Sequence, residues 1–437
     1  MKYNFSMKPS VLIKEINEFI GKEVIIKGWV YNKRSSGKIH FLQIRDGSGF
    51  IQAIILKGEV SSESFAAAEK VTLESSVEMA GIVREDKRAP DGYELTAKEL
   101  TIIQLAEEFP IGKKEHGPDF LLNNRHLWLR SKRQWAILRV RNEIIRSLNE
   151  YLQKEGFVRV DTPIITPSAC EGTTTLFEID YFGEKAYLSQ SGQLYLEAAI
   201  GSLGRVYDFG PALRAEKSKT RRHLIEFWMM DAEAAFVDFI GILKVQEEMV
   251  YHIIQSVLKN CQKELEILER DTQVLSSIKL PFVRLTYKET IKLLNSLGSD
   301  IKIGSDFGND DETILMNHYK KPVFVTHYPA EVKAFYAKKD PNDGDFALVA
   351  DLLAPEGYGE VIGGGERESD YDTLIREIQK RNLNVKDYDW YLDLRKYGSV
   401  PHSGFGIGLE RMVAWICKSP HVRETIPFPR LLGRFRP

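Results

Sequence analysis

The chain is poor in cysteine: only Cys170, Cys261 and Cys417 occur in 437 residues. Three thiols cannot all pair and none of their spacings suits a metal site, which excludes a disulfide scaffold or zinc module and points to a reduced, cytoplasmic setting. Long apolar runs are missing too. The start "MKYNFSMKPS" has no signal-peptide core, and nothing later approaches the roughly 18 apolar residues of a membrane span, so no membrane association is expected. Net charge is nearly absent, at −2, with 43% hydrophobic and 28% charged residues, an ordinary balance for globular domains. No strand is followed by G-x-x-x-x-G-K-[ST], which excludes a P-loop, and no internal repeat or low-complexity tract stands out.

The charge that is present is unevenly placed. Met1 to Lys57 carries an excess of +6 and Gly58 to Leu105 an excess of −5, so an amino-terminal module with one basic edge suits a polyanion as well as it suits an ordinary solvated surface. From Glu23 to Gln104 short alternating runs are broken by turn residues: "EVIIKGWVYNKR", then "KIHFLQIRDGSGFIQAIIL" with a turn from Asp46 to Gly49, then "SSVEMAGIVRE" and "GYELTAKELTIIQLA". Five such strands in about 100 residues predict a small closed barrel of the OB-fold type. "EEFPIGKKEHGPDF" then loses all periodicity and reads as a linker. Beyond it, an apolar stripe from Ile137 through Leu152 predicts a helix over Ser131 to Lys154 and another is expected over Val237 to Leu268, interleaved with strands such as "RVYDFGPAL", "EFWMMDAEAAF", "KPVFVTHYP", "ALVADLLAP" and "GYGEVIGG". The hairpin-like spacing around Ser218 predicts an antiparallel sheet flanked by helices, making the chain α+β overall.

Three stretches carry candidate chemistry. In "RVYDFGPALRAEKSKTRRHLIEFWMMDAEAAF" two strands flank a cationic loop: Arg214 and Glu216, two apart, share a side, and Lys217, Lys219, Arg221 and Arg222 follow, a composition suited to polyphosphate as well as to a solvated turn. In "ADLLAPEGYGEVIGGGER", Asp351 and Glu360 on adjacent strands would converge on one hard cation, glycines would admit a ligand to the backbone, and Arg367 would clamp a carboxylate; a glycine bulge with surface carboxylates is the plainer reading. In "VPHSGFGIGLERMVAW", glycines at 404, 406 and 408 precede an apolar helix, yet too little chain follows to complete a dinucleotide-binding unit. "PSACEGTTTLF", with Glu171, has the composition of a mobile lid or of a simple connection.

Taken in order, the long helix running into "GFVRVDTPIITP", the "RAE…RHLIEF" segment and "GFGIGLERMVAW" resemble the three signature motifs of class II aminoacyl-tRNA synthetases, and "GWVYNKRSSGKIHFLQIRDGSGFIQ" resembles their anticodon-binding barrel. Within the class the chain resembles the subgroup for aspartate, asparagine and lysine, and in it the asparagine enzymes. The resemblance implies an OB-fold over 1–105, a hinge over 106–130 and a class II catalytic domain over 131–437, working as a homodimer with ATP and Mg2+. It implies that Arg214 meets the α-phosphate, with Glu216, Arg222, His223, Leu224, Phe227, Gly408 and Glu410 around the nucleotide and Arg411 at the γ-phosphate. Glu360 and Asp351 would hold magnesium; Arg367 and Glu171 would take the amino acid's carboxylate and ammonium. Phe41 and Gln52 would read an anticodon base. An aspartate enzyme is expected to carry lysine where this chain has Leu196, so an amide side chain fits better: L-asparagine and tRNA(Asn) are the expected partners and aspartate the alternative. Gln193 and Glu226 are the expected pocket residues for the amide.

Overall fold

The computed structural model describes residues 8–89, 92–112, 114–170 and 176–437. It divides into two compact units, Met1–Leu121 and Leu122–Pro437. Among the described residues no helix is long and apolar enough to cross a membrane.

In the first unit, β1 (Glu23–Ser36), β2 (Ile39–Arg45), β3 (Phe50–Leu56), β4 (Ser76–Glu85) and β5 (Tyr93–Gln104) close a barrel in the order β1-β2-β3-β5-β4. The expected OB-fold architecture is therefore present. Strand alternation explains its core: Val24, Ile26, Leu42, Ile44, Ile51, Ala53, Ile55, Val77 and Met79 turn inward and are buried. The Asp46 carboxylate forms the β2–β3 turn, accepting from the Ser48 and Gly49 amides at 2.8 and 3.0 Å. A helix over Ser62–Lys70, capped by Ser61, was not expected from the sequence; its buried face is short, Phe65 and Ala68.

The second unit is built on a nine-stranded sheet. Its short early strands are β6 (Val158–Arg159), and, in a separate small sheet, β7 (Ile165–Thr166), β8 (Glu178–Tyr181) and β9 (Glu184–Leu188). There follow β10 (Arg205–Tyr207), β11 (Gly210–Leu213), β12 (Glu226–Ala235), β13 (Val283–Thr286) and β14 (Val323–Thr326). A two-stranded pair, β15 (Lys339–Asp340) and β16 (Asp343–Ala347), precedes β17 (Val349–Ala354), β18 (Gly359–Glu366) and β19 (His402–Gly408). The main order is β13-β14-β17-β18-β19-β12-β10-β6, with β11 on β12. The expectation of an antiparallel sheet needs correction at both edges, because β13 pairs β14 and β10 pairs β6 in parallel. Only the central strands that carry the site are antiparallel throughout.

Helices cover one face. Lys132–Lys154, capped by Ser131, and Phe239–Asn260, capped by Asp238, turn Ile137, Val140, Ile144, Leu148, Ile242, Val250, Ile253 and Val257 onto Met230, Ala232, Phe405 and Ile407 of the sheet. The second helix stops at Cys261, where a short separate helix, Gln262–Ile267, takes over the rest of the stretch expected to be continuous. Part of the expected hinge belongs to this unit: Arg125 is buried and donates to the carbonyls of Pro427 and Ile426 at 2.9 and 2.8 Å.

Candidate active site

Strand alternation sorts the site from the core. On β12, Met230, Ala232 and Ala234 face the helices, so Phe227, Met229, Asp231 and Glu233 face the other way. β19 lies beside it with Met229 opposite Gly408, Asp231 opposite Gly406 and Glu233 opposite Gly404. A methyl carbon on Gly404 would sit 2.0 Å from Glu233 Oε1, and one on Gly406 would sit 2.4 Å from Asp231 Oδ1. These two glycines therefore make room for β12 carboxylates. Gly408 differs: a methyl carbon there would have only the Arg411 side chain near it, at 3.8 Å or more, and would point into an open cleft.

That cleft, of about 620 Å³, is lined by Arg214, Glu216, Arg222, His223, Leu224, Phe227, Glu360, Gly408, Glu410 and Arg411, which are all ten residues expected around the nucleotide. Arg214 follows β11 and lies over the Phe227 ring, 5.3 Å from its centroid, while its buried Nε has no hydrogen-bond partner among the described residues. A buried guanidinium nitrogen without an acceptor is a place for an anion. Arg411, in the first turn of the helix Leu409–Cys417, donates from Nη1 to the Glu360 carboxylate at 2.9 Å. His223 is bonded to Thr220, and burial together with Arg411 lowers its pKa, so the ring stands neutral beside the cationic cleft.

Two of the ten also have protein partners that the sequence did not indicate. Glu410 spends one carboxylate oxygen on Arg141 Nη1 at 2.7 Å and the other on the Trp228 amide at 3.0 Å, so it ties the helix bearing Arg411 to β12. Arg222 donates to Glu312 and Asn309 from one nitrogen and to Thr313 and the Gly357 carbonyl from the other, at 2.5, 3.3, 2.8 and 2.6 Å. Its side-chain partners Asn309, Glu312 and Thr313 lie on the helix Asn309–His318, which begins at the end of the acidic stretch "GSDIKIGSDFGNDDE" whose purpose the sequence left open. Glu312 also accepts from the Glu360 amide at 3.2 Å, and burial with Glu360 nearby pushes its carboxyl up to about 7.

Asp351 and Glu360 do converge. Asp351 lies opposite Gly363, and Leu352 opposite Ile362, but Leu353 then pairs with Glu360, leaving Val361 as an extra residue. This bulge turns Glu360 onto the face that Asp351 occupies; regular pairing would have turned it away. The place for a methyl on Gly363 is 3.2 Å from Glu360 Oε1 and 3.4 Å from Asp351 Oδ1, so the two carboxylates share one edge of the strand. Burial opposes ionisation of Glu360, yet Arg411, Lys333 and Arg214 outweigh it and hold its pKa below the usual range. For Asp351 burial prevails, with Glu360 adding to it, and its pKa is raised although Lys333 donates to it at 2.8 Å.

Further along the same face lies a buried ionic cluster. Arg367 grips Glu233 through Nη2 at 2.6 Å and Nε at 3.1 Å, and burial pushes the Glu233 carboxyl up to about 7 against that pairing. Glu197, Glu233 and His402 bring ligand atoms within 4.8 Å of one another, as a metal site would, but Arg367 and Arg395 already supply the positive charge there. Gln193 joins this cluster through Glu197 at 3.0 Å. Glu226 does not: it begins β12, seven residues and roughly 23 Å of extended chain from Glu233, near Arg430 instead. Sequence reasoning missed Glu197, Asp231 and Glu233 because only their neighbours in space mark them. Glu171 falls outside the described residues.

On the barrel, Phe41 is half-buried and points away from the core that Leu42 and Ile44 fill, which removes the plain core-packing reading. Gln52 lies on the neighbouring strand facing the same way, and Arg34 links the two, donating to Gln52 Oε1 at 3.2 Å with its guanidinium 5.8 Å from the Phe41 ring centre. An aromatic face, an amide and a guanidinium side by side suit an unstacked base.

Residues 117–432 match the family described as tRNA synthetases class II (D, K and N), and residues 24–103 match the OB-fold nucleic acid binding domain. The chain is 57% identical over 426 residues to an asparagine–tRNA ligase of Desulforamulus reducens, covering 98% of this chain and 99% of that protein. An asparagine–tRNA ligase of Pelotomaculum thermopropionicum is 55% identical over 427 residues, with 98% and 99% covered. Among solved structures, asparaginyl-tRNA synthetase from Pyrococcus horikoshii complexed with asparaginyl-adenylate superposes with a TM-score of 0.95 at 46% identity, covering 99% of this chain and all of that one. With its site on the antiparallel core of the sheet and a five-stranded barrel ahead of it, the chain belongs to the class II tRNA synthetases of the aspartate, lysine and asparagine group.

Proposed function

We propose that this chain ligates L-asparagine to tRNA(Asn) at the expense of ATP, through an asparaginyl-adenylate. The observation that carries the choice of asparagine is the charge state of the buried cluster: Arg367 is committed to Glu233, Arg395 is committed to Glu197, and Leu196 is apolar. A side-chain carboxylate would enter without a free cation, whereas a neutral amide needs none. Relatives named as asparagine–tRNA ligases support the same reading.

In this reading Arg214 and Arg411 bind ATP phosphates in the cleft, Phe227 stacks on the base, and Glu216, His223, Leu224 and Gly408 surround the nucleotide. Arg222 and Glu410 hold this machinery in place through their protein partners. The carboxylate pair of Asp351 and Glu360 offers the hard oxygen donors that Mg2+ prefers, and the ion would there neutralise phosphate charge. A carboxylate oxygen of asparagine bonds to the α-phosphorus as the bond to the bridging oxygen breaks and pyrophosphate leaves. The terminal ribose hydroxyl of the tRNA then takes the aminoacyl group and AMP departs. No protein nucleophile is required, so positioning and charge neutralisation supply the acceleration. Phe41 and Gln52 read the anticodon.

Two further features belong to this reading. Val158, Ile164 and Ile165, around Pro163, are exposed apolar side chains at 44%, 47% and 44%, which supports burial in a homodimer. The three cysteines are buried and none is joined to another by a disulfide, which suits a reducing cytoplasm, where charging takes place. ATP/pyrophosphate exchange with asparagine and with aspartate as separate substrates tests the assignment. Exchange with aspartate alone would sink it.

A further inference from the structure

Lys333 follows the short turn Ala330–Val332, and its carbonyl accepts from Arg381 Nη2 at 3.0 Å, so its backbone is held in one place. Its side chain is mostly buried, and its ammonium lies 3.7 Å from the centre of the Tyr328 ring. From there Nζ donates to Asp351 Oδ2 at 2.8 Å. The neighbouring carboxylate is treated alike, since Arg411 Nη1 donates to Glu360 Oε2 at 2.9 Å. Each carboxylate thus spends one oxygen on a protein cation of its own. The other two oxygens, Asp351 Oδ1 and Glu360 Oε1, turn toward one point over Gly363, lying 3.4 and 3.2 Å from where a methyl carbon there would sit. Glu312, which accepts from the Glu360 amide, is already paired with Arg222. The pair therefore offers a metal ion two hard oxygens but brings no net charge of its own. Two bare carboxylates would attract a divalent cation by themselves; beside Lys333 and Arg411 that attraction has to come from another anion, and phosphate oxygens are the partners Mg2+ usually takes together with one or two carboxylates.

We infer that Lys333 is a positioning residue that keeps the Asp351–Glu360 pair from holding a divalent cation alone, so that the ion enters with the triphosphate and leaves with pyrophosphate. Arg411 lines the nucleotide cleft and Lys333 does not. When phosphate draws on Arg411, Lys333 is the cation that stays with the pair, and it keeps the site dependent on phosphate charge throughout. A pair that held its cation firmly would also hold pyrophosphate, the more highly charged product. The inference rests on the proposed metal role of Asp351 and Glu360 and adds the residue that sets when the ion is held.

The test measures Mn2+ bound to the full chain without nucleotide, from the loss of the free ion's electron paramagnetic resonance signal. Lys333→Met keeps a long side chain over Tyr328 but removes the charge, and its affinity for Mn2+ is expected to rise at least about tenfold over wild type. Lys333→Gln is expected to do the same and takes its place where the methionine variant does not fold. Lys333→Arg, which keeps the charge, is expected to bind Mn2+ as weakly as wild type. Adding Glu360→Gln to Lys333→Met should abolish the gain, which ties it to this pair. Mn2+ affinity unchanged in Lys333→Met and Lys333→Gln overturns the inference, and so does a gain that survives Glu360→Gln. A wild-type protein that leaves the water-proton relaxation of Mn2+ and ATP as it is without protein fails the metal reading instead, because no ternary complex then forms at the pair.

Discussion

Replacing Gly404 by alanine would put a methyl carbon 2.0 Å from Glu233 Oε1 and 2.4 Å from the Ala232 carbonyl, inside the contact distance of both. The carbonyl belongs to a paired strand and cannot move far, so the Glu233 carboxylate has to leave its place. In leaving it loses Arg367, to which it is held at 2.6 and 3.1 Å in a fully buried setting. Overpacking costs about 1–3 kcal/mol, and a broken buried ion pair about 3–5 kcal/mol. Partial relaxation brings the loss felt by the amino acid to roughly 3–4 kcal/mol, a fall of about 100- to 1000-fold in kcat/KM for asparagine. The nucleotide end should hardly notice, because the residues proposed to meet the phosphates line the cleft around Gly408 and Arg411. Gly408→Ala is the matching control. Its methyl would meet nothing closer than 3.8 Å but would narrow the ATP cleft, so KM for ATP should rise while KM for asparagine stays put. Pyrophosphate exchange titrated separately with each substrate measures both. If Gly404→Ala raises KM for ATP as much as for asparagine, the division of the β19 glycines between the two substrates is wrong.

Phe41→Ala should weaken tRNA charging by roughly tenfold or more while leaving pyrophosphate exchange intact, since one stacked base contributes about 1–3 kcal/mol; an equal fall in exchange would make Phe41 a structural residue. Glu312→Ala leaves the Arg222 guanidinium buried without its carboxylate, and thermal denaturation should show a loss of about 3 kcal/mol, whereas an unchanged midpoint would mean that Asn309, Thr313 and Gly357 suffice. Burial and the nearby Asp231 push the Asp208 carboxyl up to about 7 from an ordinary value of 3.8. Between those values the folded state holds a proton that the unfolded state has lost, so this group's contribution to stability falls as pH rises across the window. Asp208→Asn should flatten that slope in denaturant melts at about pH 5 and about pH 7, and an unaltered slope would refute the assignment.

That the residues proposed for the nucleotide line one cleft was legible along the chain, because they are local in sequence. Arg214 and Glu216 sit two apart beyond a strand, and Gly408 to Arg411 pass from strand to helix within four residues. Legibility ended where a side chain's task depended on a distant partner. Arg222 lines the cleft as expected, but its bonds to the helix Asn309–His318 could not be read from the sequence. Glu226 looked available for an amide, but lies at the far end of β12 from Arg367. Glu197 drew no notice at all, since Tyr391, Arg395 and His402 come to it from nearly two hundred residues away.

By itself the sequence determined the alternation of β12 and β19, and with it which side chains go to the helices and which to the opposite face, because period-two patterning is a property of each strand alone. It determined the barrel for the same reason. The meeting of Asp351 with Glu360 was decided elsewhere. Nine residues of separation place them on opposite faces or on one face according to whether Val361 is paired, and that is settled by the register of β17 against β18. The surroundings of Glu197 were also left to the fold, since only packing brings donors to that carboxylate.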